Sequence, residues 1–424
     1  MTQTSPSCTF AGRYGMLYAM LSATNATLTV STTETTTASS TGRKYLHHVD
    51  LIRAITFSLV IFVHCLTATT DEFNSVPVNS TTLLLHFTRN MFFALTGFVL
   101  MYQNFDRADF RTVHFWRRRI KLVIIPYLIW SFIYWVVEDM WDHGRLSDVP
   151  GSLDEFWDLL KWGLSGFHMY FLFVMLQVYL LFPLVLWLVR ATRNHHVALL
   201  AGSFAFQVAI TSIITYWTPP ESWWGVWWHY YATFVPYQFF IVLGSVAAVH
   251  REKVRLWLRG KGWWLFAALM LTAVFALATF WRRVWGLDQI PIYASAAFQP
   301  TLLIFLVTAI VCLYAVGQHW ADTYRQQTPR FDRVVKYASN RSFSVFLCHA
   351  IFIFLILHPQ KNGEPWINTL GSPWAPILMY IGVITGSLLL VEILRRLPGS
   401  AYLTGRPRLP LPKLQQTEKR KQSV

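Results

Sequence analysis

Residues Val49–Ala68 read VDLIRAITFSLVIFVHCLTA. About 20 predominantly apolar residues are what an α-helix needs to cross the hydrocarbon core of a bilayer, and this stretch has that length. Three of its residues are ionisable: Asp50, Arg53 and His64. Such groups are costly inside an apolar span and mark function by default. Arg53 and His64 stand eleven residues apart. Eleven steps of about 100° make three turns plus about 20°, so both side chains share one helix face, ~16 Å apart along the axis. The competing structural reading has Arg53 snorkelling and pairing with Asp50, with His64 hydrogen-bonded to a neighbouring helix.

Outward from this stretch, similar segments recur at 83–103, 120–138, 168–189, 197–217, 229–249, 263–281, 293–316, 342–358 and 375–395. With 49–69 they predict an all-α, polytopic bundle of about ten transmembrane helices. Composition agrees. Of 424 residues, 54% are hydrophobic and 13% charged, about half the charge of a soluble domain, which excludes both a water-soluble body and a disordered chain. Four scattered cysteines (Cys8, Cys65, Cys312, Cys348) form neither a disulfide framework nor a thiolate metal site. No metal site, H-E-x-x-H or phosphate-binding glycine motif is expected.

The net charge of +15 is explained by topology without any nucleic-acid partner. Basic residues concentrate in alternate loops: Arg43 and Lys44, Arg107 to Lys121, Arg190 and Arg193, Arg251 to Lys261, Arg325 to Arg341, and the tail from Arg395 to Lys421. The other loops are acidic (Asp71, Glu72, Asp139, Asp142, Asp148, Asp154, Glu155, Asp158). The positive-inside rule then puts both termini in the cytoplasm of a multi-pass cell-membrane protein. Residues 1–42 are Ser/Thr-rich and are expected to form a disordered tail, with Met16 or Met20 as alternative starts. Residues 43–397 form the membrane domain and 398–424 a basic cytoplasmic tail. In the outer loops, the stretch from Trp141 to His168 and TPPESWWGVWWHYY at 218–231 mix aromatics with polar groups. They fit an interfacial belt or a platform for stacking on sugar rings.

The order of motifs along the chain carries a resemblance. Arg53-x10-His64 comes first, after a short Asp-containing lead. FFALTGFVL (Phe92–Leu100) is similar to an FF-x-x-SG-[FY] segment, with Thr96 in the usual Ser position. FWRRRIKLVIIPYLIW (Phe115–Trp130) is similar to a basic loop entering a Pro-Tyr helix. His168 opens HMYFLFVMLQVYLLFPL, and SFSVFLCHAIF carries His349. Together these resemble the acyltransferase-3 family of integral membrane acyltransferases over residues 45–395. One departure concerns the Arg-x-x-Arg that relatives carry before the Pro-Tyr helix. Aligned on Pro126-Tyr127, the first arginine is Arg119 but the second position is Leu122, and Arg118 and Lys121 restore the spacing one residue earlier.

The resemblance implies transfer of an acyl group, commonly acetyl from acetyl-CoA, to a hydroxyl of a sugar or other cell-envelope molecule. No cofactor is bound permanently; acyl-CoA is the donor substrate, and lipid and a glycan acceptor are the partners. The cytoplasmic loop with Arg117, Arg118, Arg119 and Lys121 is a candidate for the donor phosphates. His64 is the candidate general base, Arg53 the donor-side electrostatic partner and Asp50 its orienting group. Arg89, His168 and His349 are candidates for binding substrate. A thiol relay through Cys65 and Cys348 is disfavoured, because neighbours on a helix point about 100° apart. Glu392 is expected to pair with Arg395 or Arg396. The alternative function is export of a polysaccharide or lipid-linked sugar without transfer chemistry, for which ten spans and intramembrane charge would also serve.

Overall fold

A computed structural model describes residues 44–143, 153–358, 360–361 and 364–410. The expected tail at 1–42, with its alternative starts, lies outside the described residues. Among the described residues, ten helices are long and apolar enough to cross a membrane: His47–Ala68, Val76–Asn104, Thr112–Glu138, Met169–Ala191, His196–Tyr216, Glu221–Val249, Gly262–Gly286, Pro300–Tyr324, Pro329–Leu357 and Trp374–Leu394. They are called here the first to tenth spans. The expected count and the all-α class both hold. Some boundaries move. The ninth helix begins at Pro329, not Ser342, because its first turns are polar and hydropathy does not see them. Proline suits the first helical turn, and Lys336 pairs with Asp332 at 2.8 Å, one turn away.

Two glycines set a close contact in the bundle. A Cβ on Gly97 would stand 2.2 Å from the Ile241 carbonyl oxygen, and one on Gly244 would stand 1.8 Å from that of Ala94. The second and sixth spans therefore meet backbone to backbone, as small residues allow in membrane bundles. This is the structural reason for glycine in the FFALTGF segment. Thr96 beside it is buried, with its hydroxyl 3.9 Å from Met175 Sδ, so the extra methyl is accommodated. The fifth and seventh spans bury little of themselves and present Val197, Leu271 and Val274 outwards, as lipid-facing helices do.

The loops at the Arg53 end of the first span are tied to one another. Arg190 donates to the carbonyls of Asn104, Phe105 and Arg107, and Arg255 pairs with Asp322 at 2.7 Å. Glu392 pairs with Arg396, as expected, and also with Arg341 across the ninth and tenth spans. Beyond the tenth span the chain folds back as a strap. Trp130 donates its indole N–H to the Leu403 carbonyl at 2.8 Å, and Ser344 its hydroxyl to that of Thr404 at 3.0 Å. Gly405 then turns the chain at φ +64°, where a Cβ would meet Phe343 at 2.6 Å. This turn delivers Arg406 to the Arg53 end of the bundle.

Candidate active site

The first span is one unbroken helix from His47 to Ala68, so Arg53 and His64 keep the ~16 Å axial separation expected of eleven helical steps. Both are buried, at 4% and 2% exposure. They belong to two distinct clusters, one at each end of the same helix face.

At the first end, Asp50 accepts hydrogen bonds from the hydroxyls of Tyr45 and Ser339, both at 2.6 Å. Arg53 Nη1 donates to the same Ser339 oxygen at 3.0 Å and lies 3.7 Å from Asp50 Oδ1. One hydroxyl from the ninth span thus bridges the carboxylate and the guanidinium. The sequence pairing of Asp50 with Arg53 is present, but its strongest contacts run through Ser339. A cavity of about 430 Å³ opens on this network, lined also by Lys44, Tyr102, Lys336, Asn340 and Arg406. A second cavity, of about 560 Å³, shares the Lys44–Leu46 wall and adds Arg251, Arg255 and Arg325. Burial, reinforced by the charges of Arg53 and Arg395, pushes Arg406 down to about 10. Several cations around one partly enclosed volume repel each other, and an anionic ligand relieves that repulsion.

The 117–121 loop contributes differently from residue to residue. Arg117 and Arg118 are exposed. Arg119 is buried, its guanidinium carbon 5.2 Å from the Tyr179 ring and 5.4 Å from that of Phe115. The side chain of Lys121 lies outside the described set. The helix Thr112–Arg119 passes into a π-helical turn, Ile120–Ile124, before Pro126. A π turn holds one residue more than an α turn. The π turn lies between Arg119 and Pro126, the stretch over which the motif spacing is displaced by one residue.

At the other end three histidines converge, His64 and His349 from the first and ninth spans and His168 from the residue that caps the fourth. The His349 ring lies 5.5 Å from that of His64 and 4.8 Å from that of His168. All three are buried. Phe167, Phe346 and Tyr134 wall the cluster, with ring centroids 4.9–5.0 Å from His64 or His168 and 4.8 Å for Tyr134 to His168. His349 Nδ1 is 2.7 Å from the Phe346 carbonyl. A carbonyl only accepts, so Nδ1 carries the proton and neutral His349 keeps its lone pair on Nε2. Among the described residues, no group of His, Cys, Asp or Glu is arranged to hold a metal ion. Cys348 turns away from the cluster, with its thiol towards the carbonyls of Val345 and Ser387.

Of the residues singled out in the sequence, Asp50 and Arg53 meet at one end, and His64, His168 and His349 at the other. Arg89 is in neither cluster: it lies buried beside Tyr237 and Phe298. Sequence reasoning missed Tyr45, Ser339 and Arg406. No curated protein and no solved structure matches the chain. A family model described as an acyltransferase domain matches residues 46–392, which takes in Asp50, Arg53, Ser339, the three histidines and all ten spans nearly to their end. The chain therefore belongs to the acyltransferase-3 family and is a membrane acyltransferase.

Proposed function

We propose that this acyltransferase takes an acetyl group from acetyl-CoA bound at the Arg53 end and passes it to a hydroxyl of a glycan acceptor at the His64 end. The observation that carries the reading is the pair of clusters on one helix face: a cation-lined cavity over Asp50, Arg53 and Ser339, and a buried histidine cluster ~16 Å further along. The polyanionic head of the donor suits Lys44, Lys336 and Arg406, which line the cavity. Arginine forks serve phosphate oxygens bidentately and lysines serve as point charges. If the basic loops are cytoplasmic, as the charge bias implies, donor and acceptor approach from opposite faces of the membrane.

In the transfer step a ring nitrogen of His64 takes the proton of the acceptor hydroxyl as its oxygen attacks the thioester carbonyl. The tetrahedral intermediate collapses with cleavage of the C–S bond. The thiolate of CoA leaves and takes up the proton held by the histidine, so the ring returns neutral. A neutral imidazole has one ring nitrogen with a free lone pair, and that is the atom this step needs. Phe167 and His349 pack the ring and limit its orientation.

Equilibrium binding of acetyl-CoA to the full chain in detergent tests the division of labour. Arg53→Ala is expected to lose binding, and His64→Ala to keep it while losing transfer. Normal binding by Arg53→Ala, or loss of binding in His64→Ala, would overturn the assignment of donor and acceptor ends.

A further inference from the structure

Arg89 is completely buried, and none of its three guanidinium nitrogens has a hydrogen-bond partner among the described residues. Its nearest aromatic companions are Phe298 and Tyr237, with ring centroids 4.4 and 5.2 Å from Cζ. Those two centroids are only 5.7 Å from each other, so both rings approach from the same side and leave the N–H fork unspent. Cation–π contact compensates only part of the cost of burying a charge, and an unpaired buried arginine is otherwise a heavy liability. The surroundings hold this arrangement firmly. His86, one turn earlier, donates Nε2–H to the Ser295 carbonyl at 2.9 Å, and Ser295 donates its hydroxyl to Asn79 at 2.8 Å. These bonds fix the segment that carries Phe298.

The depth of Arg89 matters as much as its isolation. Val99 lines the Arg53 cavity, and Arg89 lies ten residues back along the second span, ~15 Å towards the other end of the bundle. That matches the ~16 Å from Arg53 to His64. A layer of rings connects the two sites: Tyr237 to Phe93 at 4.3 Å, Phe93 to Phe171 at 4.8 Å and Phe171 to Phe346 at 6.2 Å. Phe346 in turn packs on His168 and His349. On its outward side, Phe298 meets Tyr230 at 5.3 Å, and Tyr230 meets Trp227 of the exposed tryptophan-rich loop. Trp223 and Trp228 in that loop are more than half exposed.

From this geometry we infer that Arg89 is an anion-binding site for the acceptor, taking the carboxylate or phosphate of an acidic saccharide whose rings stack on the neighbouring aromatics. A planar fork with free N–H groups matches an oxyanion bidentately, and flat aromatic faces beside it suit a sugar better than an acyl chain. The inference rests on the placement of the acceptor at the His64 end, and it names the acceptor's class.

Thermal unfolding of the full chain in a phosphate-free glycoside detergent, without acyl-CoA, tests it. Because no transfer is measured, the outcome is independent of whether His64 is the base. The probes are glucuronate, glucose 6-phosphate, glucose and phosphatidylglycerol at matched ionic strength. Glucuronate or glucose 6-phosphate is expected to raise the unfolding temperature of the wild type, with no effect from glucose. Arg89→Met should abolish the shift, and Arg89→Lys should reduce it, since one ammonium replaces a planar fork. If Arg89→Met does not fold, the Arg89→Lys comparison decides. An equal shift with neutral glucose, a shift with phosphatidylglycerol alone, no shift with any probe, or an undiminished shift in the Arg89 variants would each overturn the proposal.

Discussion

Ser339→Ala is the sharpest perturbation of the donor end, because this hydroxyl makes two bonds to charged groups at once. It donates to Asp50 at 2.6 Å and accepts from Arg53 at 3.0 Å. All three residues are buried and border the donor cavity. A hydrogen bond to a charged group contributes ~1.5–3 kcal/mol. If one such bond is lost from the positioning of Arg53, acetyl-CoA binds about 10- to 100-fold more weakly, at ~1.4 kcal/mol per decade. The direct contact between Arg53 and Asp50 at 3.7 Å limits the loss to that range, since the ion pair survives. The assay is equilibrium binding of acetyl-CoA to purified protein, with Tyr45→Phe as a second arm. Tyr45 also donates to Asp50, so the double variant should lose less than the sum of the singles, as expected for residues sharing one partner. An acetyl-CoA affinity within twofold of wild type in Ser339→Ala would refute the reasoning that Arg53 is held for the donor.

Three further outcomes follow from other parts of the molecule. Gly244→Ala places a methyl group against the Ala94 carbonyl and should destabilise the bundle by ~1–3 kcal/mol; an unchanged unfolding temperature would contradict the close packing. Glu72, buried between the first two spans, is pushed up to about 7 from 4.5, first by desolvation and then by Asp71. The folded state therefore holds its proton longer than the unfolded state, so stability falls as pH rises from about 4.5 to about 7. Glu72→Gln should be more stable than wild type at pH 8 and equal to it at pH 4, as read by thermal unfolding at both pH values. Arg406→Ala should weaken acetyl-CoA binding by roughly tenfold, the worth of one charge-assisted contact, without lowering membrane insertion; unchanged affinity would remove the strap from the donor site.

The span count and the Arg53–His64 face were legible because each depends on local periodicity, which hydropathy and a 100° step report directly. The convergence of His64, His168 and His349 was not, because it depends on three helices far apart in the chain. Only the motif resemblance drew attention to the two distal histidines. Ser339 escaped for a related reason: it lies 286 residues from Arg53, inside the polar first turns of a helix whose apolar part alone was read as a span. Arg406 sits in a segment whose composition reads as a basic tail, and its position is set by a glycine turn and two side-chain bonds to the strap. The misfit at Leu122 coincides with a π turn in the structure, which residue spacing alone does not report. Arg89 was visible as an intramembrane charge, but its lack of hydrogen-bond partners among the described residues is a tertiary fact.

The most direct test of the central claim is mass spectrometry of envelope glycans from cells producing the wild-type chain, His64→Ala at equal membrane level, or neither. Acyl-sized mass increments on a glycan should appear with the wild type and fall by about 10²–10⁴-fold in rate of accumulation with His64→Ala, the loss typical of removing a general base. Normal acylation by a correctly inserted His64→Ala protein would contradict the mechanism.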